Sequence, residues 1–564
     1  MMVYQDGARI GLEATLSDAM RELANTTGDT FGIVVILDPV GILLGILTDG
    51  DLIRAVASGA SLEDKAVHWM NTEPLSASLG TSDESAMVIA LGGRERAVRF
   101  LPVIGSQGEF YGLINVSRLP ASKGTNHLRI AVLGLGHVGL PFAATLAANG
   151  HTVTGVETNP ILLGELRAGI VSLVEPQLEG LVRVTKNLDL LRFSSSLGGE
   201  NYDAFIIAVG TPWVQTTKKP DFGPLEVALG TVSKMIKPGA LIVLRSTVPV
   251  GFTRDIAVPI MERATHLKAG QDFFVAFAPE RTVEGNALKE IRELPQIIGG
   301  FSEKCLNRAD QVWQSIEVST VKVESLEAAE MVKLLNNSFR DHVFAFSNAA
   351  SVYASQFNID AHSLISAAND GYPRNTIPMP SPGVGGYCLT KDPLIYASTM
   401  SNLPHASLAQ VARVANEGSR QLVVNSILTY FHERLKVKSG KVLVVGLAFK
   451  GVPPTADTRG STSIEIVQDL IDSGIHILGF DAVLGVKGVS ELGVEFSDVL
   501  SGLASVDVVA ILNNHPDNIP TGFLQALEGR TLLVWDAWKM LPRRELERLS
   551  GITYATLGYM SSKR

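Results

Sequence analysis

Short apolar runs alternating with helix-patterned stretches dominate the chain from about residue 127 onward. "LRIAVLGLG", "HTVTGVE", "YDAFIIAVG", "ALIVLRSTV" and "DFFVAFAPE" follow one another, separated by segments of helical period. This alternation predicts βαβ units around a buried parallel sheet. From about 324 to 366 the texture changes to long helical stretches without proline. A second alternating series opens near 440, with "KVLVVGLAF", "IHILGFD", "VDVVAILNN" and "TLLVWDAW".

The front of the chain reads differently. "GIVVILDPVGILLGILTDGDL" predicts strand, turn, strand and a helix start. "RFLPVIGSQGEFYGLINVSRL" repeats that order 67 positions later, from Gly45 to Gly112 (112 − 45 = 67). "PASKGTNH" (120–127) is small and polar, with Pro and Gly, and reads as a linker. The pattern therefore predicts an α/β protein with two Rossmann-like parallel-sheet domains joined by a helical middle, preceded by a small α+β module. The expected boundaries are 1–122, 127–322, 323–437 and 438–564.

Composition narrows the function classes. At 564 residues the chain is too long for one core. With 48 basic and 57 acidic side chains the formal charge is −9, and no basic stripe suggests a nucleic-acid partner. The apolar stretch "GIVVILDPVGILLGIL" is interrupted by Asp38 and Pro39 and is too short to span a bilayer. "MMVYQDGARIGLEA" lacks the basic and apolar regions of a secretory signal, so a cytoplasmic location is expected. Cys305 and Cys388, the two cysteines, cannot build a disulfide framework, and no His or Cys cluster has metal-ligand spacing. No metal is expected.

Chemistry enters with "IAVLGLGHVGLPFAATLAANGHTVTGVETN". Gly134, Gly136 and Gly139 form GxGxxG between an apolar strand and an Ala-rich helix. Glu157 ends the next strand, 18 positions after Gly139 (157 − 139 = 18). The first glycine permits the tight turn, the second lets the backbone reach a pyrophosphate, and the third lets helix and strand pack closely. Helix N–H groups, opened at Val138 and Gly139, would face the phosphates. Glu157 would accept from ribose hydroxyls and repel a 2′-phosphate, so NAD is expected over NADP.

"SPGVGGYCLTKDP" (381–393) places Cys388 just after a glycine run. Taken alone it is either a small residue closing a turn or a nucleophile in a loop that a ligand can approach. "VGTP" (209–212), "STVPVG" (246–251), "APERTVEGNA" (278–287), "EMVKLLNN" (330–337) and "GLAFKGVPPTADTRGS" (446–461) surround it in order along the chain. Together these segments resemble the UDP-glucose/GDP-mannose dehydrogenase family over roughly residues 127–560, and most of all its UDP-N-acetylhexosamine branch.

The resemblance implies NAD-dependent oxidation of a nucleotide sugar's primary alcohol to a carboxylate, in two steps that reduce two NAD. It implies Cys388 as nucleophile, and Lys333 with Asn337 as stabilisers of developing alkoxide charge. Asp392 would orient water and the lysine, Glu280 would be the base for thioester hydrolysis, and Thr247 would hold water or cofactor. Thr211, Glu284 and Arg459 match cofactor-contacting positions. Arg374, the loop with Gly383 and Gly385, Phe449 and Lys450 match the sugar-nucleotide pocket. Arg281 replaces the aromatic of the UDP-glucose and GDP-mannose branches, and "KKPDFGPL" (218–225) has the form common among N-acetylhexosamine enzymes. UDP-N-acetylmannosamine or UDP-N-acetylglucosamine is thus the favoured substrate, with UDP-glucose and GDP-mannose as alternatives. A surface-polysaccharide precursor pathway and a homodimer or higher homo-oligomer are also implied.

The front repeat resembles a pair of CBS motifs, with Thr48 and Asp51 matching an adenosine-nucleotide half-site; the second copy offers Asn115 and Arg118. A docking module without ligand is the alternative. The sequence departs from the family's pattern at Ala349, after Asp481 and in "VWDAWK". Two rival readings remain: a two-electron 3-hydroxyacid-type dehydrogenase, which leaves Cys388 without a role, and a non-catalytic nucleotide sensor.

Overall fold

The computed structural model describes residues 8–25, 32–79, 81, 86, 89, 100–115, 127–214, 216–217, 219–399 and 407–561. Arg118, Lys218 and the expected linker up to residue 126 lie outside these residues.

The internal repeat of the front module reappears as paired topology. Ala8–Ile10 runs parallel to Ile33–Leu37, which pairs antiparallel with Leu43–Thr48. Ala77–Ser78 runs parallel to Phe100–Ile104, which pairs antiparallel with Phe110–Asn115. Ile36 faces Gly45 in one hairpin and Val103 faces Gly112 in the other, each just before a register shift. Ile33, Val35, Ile46, Phe100 and Leu113 form one buried cluster shared by the two hairpins. A Cβ at Gly45 would sit 2.6 Å from the Asn71 carbonyl oxygen, which explains a glycine in mid-strand.

The next domain is an eight-stranded sheet. From one edge its strands are Thr320–Val323, Gln296–Gly300, Phe274–Phe277, Leu241–Leu244, Ala204–Ile207, Arg129–Leu133, Thr152–Val156 and Leu191–Ser194. All neighbours are parallel except Phe274–Phe277 against Gln296–Gly300. That reversed pair is absent from the sequence expectation, because a buried apolar run does not reveal its direction. Ala204–Ile207 and Leu241–Leu244 are buried throughout, as strands covered on both faces must be. Strand order reverses beside Arg129–Leu133, which opens a crevice at the carboxyl ends of the strands.

A second open sheet spans 441–560. Its order is Glu495–Phe496, His476–Phe480, Lys441–Val445, Val508–Ile511, Leu532–Asp536, Ile552–Thr556 and Tyr559–Met560, with only the last pair antiparallel. Between the two sheets runs the helix Leu326–Ser355, 30 residues and about 45 Å long. Ser325 caps it by accepting from the Ala328 N–H at 3.1 Å. It packs along the helix Ser407–Thr429. Glu330, Lys333, Asn337, Asp341 and Asn348 lie buried at helical spacing along one inward face. An inward polar stripe of this kind marks a functional face rather than a plain core.

Candidate active site

The glycine turn has the geometry that its spacing predicts. Gly134 has φ +87°, and a Cβ there would lie 2.8 Å from the Ala208 carbonyl oxygen. A Cβ on Gly139 would collide with the Gly134 carbonyl, so helix and strand can meet only through a hydrogen atom. Gly136 faces open space, where its backbone is free for a phosphate. Val138 stands at the N-cap position of the helix Gly139–Ala148 without a side-chain hydrogen bond to it. Glu157 accepts from the Leu135 and Asn159 N–H groups at 2.9 Å each, which fixes its carboxylate at the strand end. Gly134, Gly136, Val138 and Glu157 line a cleft of about 820 Å³ that also reaches Thr211, Thr247, Glu280, Glu284, Lys333, Cys388 and Arg459. Thr211 Oγ1 donates to the Thr247 carbonyl at 2.9 Å and ties two loops at the sheet end together. A dinucleotide fits this cleft by shape and by donor set.

At the far end of the cleft stands the thiol. Cys388 keeps surface open to the cleft. Burial by the surrounding protein, followed by the Asp392 carboxylate, pushes its pKa up, while Lys333 and Lys391 pull it down. The thiol is thus the resting form, with two cations placed to favour the thiolate. Asp392 is fully buried and paired: its Oδ1 accepts from Lys391 Nζ at 2.8 Å and its Oδ2 from Asn337 Nδ2 at 2.6 Å. The amide of Asp392 donates to the Cys388 carbonyl at 2.9 Å, so this network also fixes the backbone that carries the sulfur. Burial lowers the pKa of Lys391, but Asp392 together with Cys388 and Tyr387 outweighs it and the ammonium stays charged. Lys391 also lies 5.1 Å from the centre of the Tyr387 ring, and Arg459 lies 4.5 Å from it.

Glu280 is buried and ion-paired with Arg245. Glu284 stands at the seam with the second sheet domain, 3.6 Å from Arg459 and 3.3 Å from Thr455 Oγ1. Burial, and then the Asp457 carboxylate, push the pKa of Glu284 up to about 7. Burial and Arg459 push His137 down to about 4, so its imidazole is neutral. His137, Glu284 and Asp457 bring three possible donor atoms within 4.8 Å of one another, a grouping that sequence spacing does not show. Arg459 already donates to Asp457 at 2.6 Å, and the group reads as a charge cluster between domains.

The residues expected at the sugar-nucleotide pocket form a second group, beyond Tyr387. A Cβ on Gly385 would lie 2.6 Å from the Gly460 carbonyl oxygen, and Gly383 has φ +121°. Gly386 packs on the Phe449 ring, and Lys450 Nζ donates to the Glu284 carbonyl at 2.6 Å. Two expected pocket residues do not join them. Arg281 turns its guanidinium to the Pro295 carbonyl, and Arg374 lies exposed, 5.3 Å from the centre of the Tyr372 ring. In the front module Thr48 and Asp51 are engaged with each other in a capping box: Thr48 Oγ1 donates to Asp51 at 2.7 Å and accepts from its N–H at 3.3 Å.

Sequence reasoning missed Lys391, Arg245 and Tyr387. The first adjoins Asp392 in "CLTKDP", and adjacency was the available signal. Nothing local marks Arg245, whose partner lies 35 positions away.

A crevice that opens on a glycine turn and holds a cysteine, two lysines and a paired aspartate has the make-up of a dinucleotide-dependent dehydrogenase. Residues 128–317 match the NAD binding domain of the UDP-glucose/GDP-mannose dehydrogenase family, residues 327–418 match its central domain, and residues 9–58 match a CBS domain. The UDP-N-acetyl-D-mannosamine dehydrogenase of Pyrococcus horikoshii is 33% identical over 69% of this chain and 90% of its own. The NDP-N-acetyl-D-galactosaminuronic acid dehydrogenase of Ralstonia nicotianae is 33% identical over 68% of this chain and 90% of its own. The solved structure of the Pyrococcus horikoshii enzyme superposes with a TM-score of 0.68 at 28% identity, covering 76% of this chain and 99% of that one. The chain belongs to the UDP-glucose/GDP-mannose dehydrogenase family and is an NAD-dependent nucleotide-sugar dehydrogenase.

Proposed function

We propose that the protein oxidises the primary alcohol of a UDP-N-acetylhexosamine, UDP-N-acetyl-D-mannosamine before UDP-N-acetyl-D-glucosamine, to the uronic acid. One observation carries this reading: a thiol stands in the dinucleotide cleft beside Lys333, on a backbone fixed by Lys391, Asp392 and Asn337. Relatives named for N-acetylated sugars support the substrate class. Arg281, which first suggested it, donates to the Pro295 carbonyl and does not line the cleft.

NAD, when bound, supplies the hydride acceptor for two oxidations, alcohol to aldehyde and thiohemiacetal to thioester. Lys333 steadies the alkoxide from which the first hydride leaves. Cys388 sulfur then bonds to the aldehyde carbon, and its proton ends on the aldehyde oxygen. After the second oxidation, water adds to the thioester carbon, Glu280 takes a proton from that water, and the C–S bond breaks to release the acid. Gly383, Gly385, Phe449 and Lys450 hold the nucleotide end of the sugar, with Lys450 toward phosphate. We assign the reaction to cytoplasmic synthesis of surface-polysaccharide precursors, where NAD and nucleotide sugars meet.

The test is a panel of UDP- and GDP-sugars assayed for NADH. Two NADH and one uronic acid per UDP-N-acetylhexosamine are expected. A ratio of one would reject the thioester route in favour of a two-electron dehydrogenase, and turnover of UDP-glucose or GDP-mannose alone would reject the substrate class.

A further inference from the structure

Glu280 enters the cleft with a partner that the scheme above leaves unused. Arg245 follows the strand Leu241–Leu244, and its amide donates to the Ile207 carbonyl at 2.9 Å. Its side chain is 1% exposed. The guanidinium carbon lies 4.3 Å from the centre of the Phe142 ring and 5.6 Å from that of Trp313, and those rings stack on each other. One Nη donates to Gln296 Oε1 at 3.1 Å, while Gln296 is itself fixed by donating to the Pro279 and Ile297 carbonyls. The other Nη donates to Oε2 of Glu280. Oε1 of Glu280 accepts from the Arg281 and Thr282 amides at 2.7 and 2.9 Å.

Burying two charges costs more than burying apolar groups of the same size, so such a pair needs a reason beyond stability. Among the described residues Arg245 is the one side chain that donates to Glu280. Arg281 turns to the Pro295 carbonyl, and the Glu290 carboxylate accepts from the Val283 amide. From the cleft side Lys333, Lys391, Cys388 and Glu284 face the same space. Burial opposes ionisation of Glu280, and Arg245 leads the groups that hold its pKa below the ordinary value regardless.

We propose that Arg245 is a positioning residue that keeps Glu280 an aimed carboxylate, ready to take a proton from the water that attacks the Cys388 thioester. The assignment rests on the proposed reaction and concerns its last step alone. In that step the water oxygen bonds to the acyl carbon and one water proton passes to Glu280. The C–S electron pair returns to sulfur, and the proton on Glu280 then moves to the Cys388 thiolate. Without the guanidinium, Glu280 would be a buried acid with no counter-charge, and burial raises such a group's pKa.

The experiment uses the full-length enzyme with the UDP-sugar that gives most NADH. Acid quenching and intact-protein mass spectrometry follow the acyl adduct on Cys388 as it decays at a series of pH values. In the wild type the acid limb of that decay lies below the ordinary glutamate value. In Arg245→Gln the first NADH forms at the wild-type rate, the adduct accumulates, and the limb moves up by about one pH unit or more. Arg245→Lys, which keeps the charge, holds the limb within about half a unit of wild type.

An unchanged limb in Arg245→Gln, or equal losses in first oxidation and adduct decay, would overturn the assignment. If Arg245→Gln does not fold, the wild type and Arg245→Lys decide, and a wild-type limb near neutral overturns it. A wild type that makes no sugar-dependent NADH overturns the proposed reaction itself, and this assignment with it.

Discussion

At the residue scale the site turns on how Cys388 is surrounded. Its thiol is held above the ordinary value by burial and by Asp392, and two lysines oppose that effect. Serine in its place keeps the size of the side chain but loses the polarisable nucleophile. Cys388→Ser is therefore expected to stop after the first oxidation, with uronic acid formation down by a factor of about 10² or more. Trapping with a hydrazine should reveal the aldehyde, and unchanged acid production would be incompatible with a thioester. Asn337 and Asp392 were each expected at the site through the family resemblance, but only the structure pairs them. Their hydrogen bond spans 55 positions, and no local period encodes it.

At the element scale, the helices Leu326–Ser355 and Ser407–Thr429 clamp the glycine loop through a buried polar network. Asn348 accepts from the Ser381 amide at 2.8 Å, Ser419 donates to the Ser381 carbonyl at 2.6 Å, and Arg413 donates to the Val384 carbonyl at 3.2 Å. Asp341 accepts from Asn416 at 2.8 Å and faces Arg413 at 3.1 Å. Burial raises Asp341 from 3.8 to about 6, although Arg413 opposes the shift. Between those values the native chain holds a proton that the unfolded chain has released, so stability falls as pH rises across that window. Asp341→Asn should flatten the dependence of Tm on pH between about 4 and 6. A slope equal to wild type would show that Asp341 is not its source. The first of these helices was legible from the proline-free helical stretch at 324–366, and the second only as part of a helical middle domain, whereas the network was not legible.

At the scale of the whole molecule, the described residues leave one apolar face of the helix Leu326–Ser355 uncovered. Leu335, Phe339, Phe346 and Tyr353 are exposed on it at helical spacing, and Val411 and Val414 of the packed helix are exposed as well. Large apolar side chains in such a row favour a second copy of the chain, the homodimer that the family resemblance implies. Phe339→Lys with Phe346→Lys should convert a dimer to monomers in sedimentation velocity while leaving the circular dichroism unchanged. A wild-type monomer would rule the interface out. The front module poses a separate question, because Thr48 and Asp51 are already satisfied by each other. If they hold an adenosine nucleotide, calorimetry of the full chain with AMP or ATP should show binding that Asp51→Ala abolishes. No heat with either nucleotide would leave the module a docking unit.

By itself the sequence determined what short-range physics can decide. The glycine turn and Glu157 at the strand end follow from spacing, because each needs a backbone conformation or close approach that only certain residues allow, whereas the cysteine loop was read through the ordered motifs around it. Strand direction at Gln296–Gly300, the Lys391–Asp392–Asn337 set, the Arg245–Glu280 pair and the outward turn of Arg281 were decided by tertiary structure alone. Each depends on which distant group happens to face a buried charge, and pairing across tens of residues leaves no periodic trace in the chain.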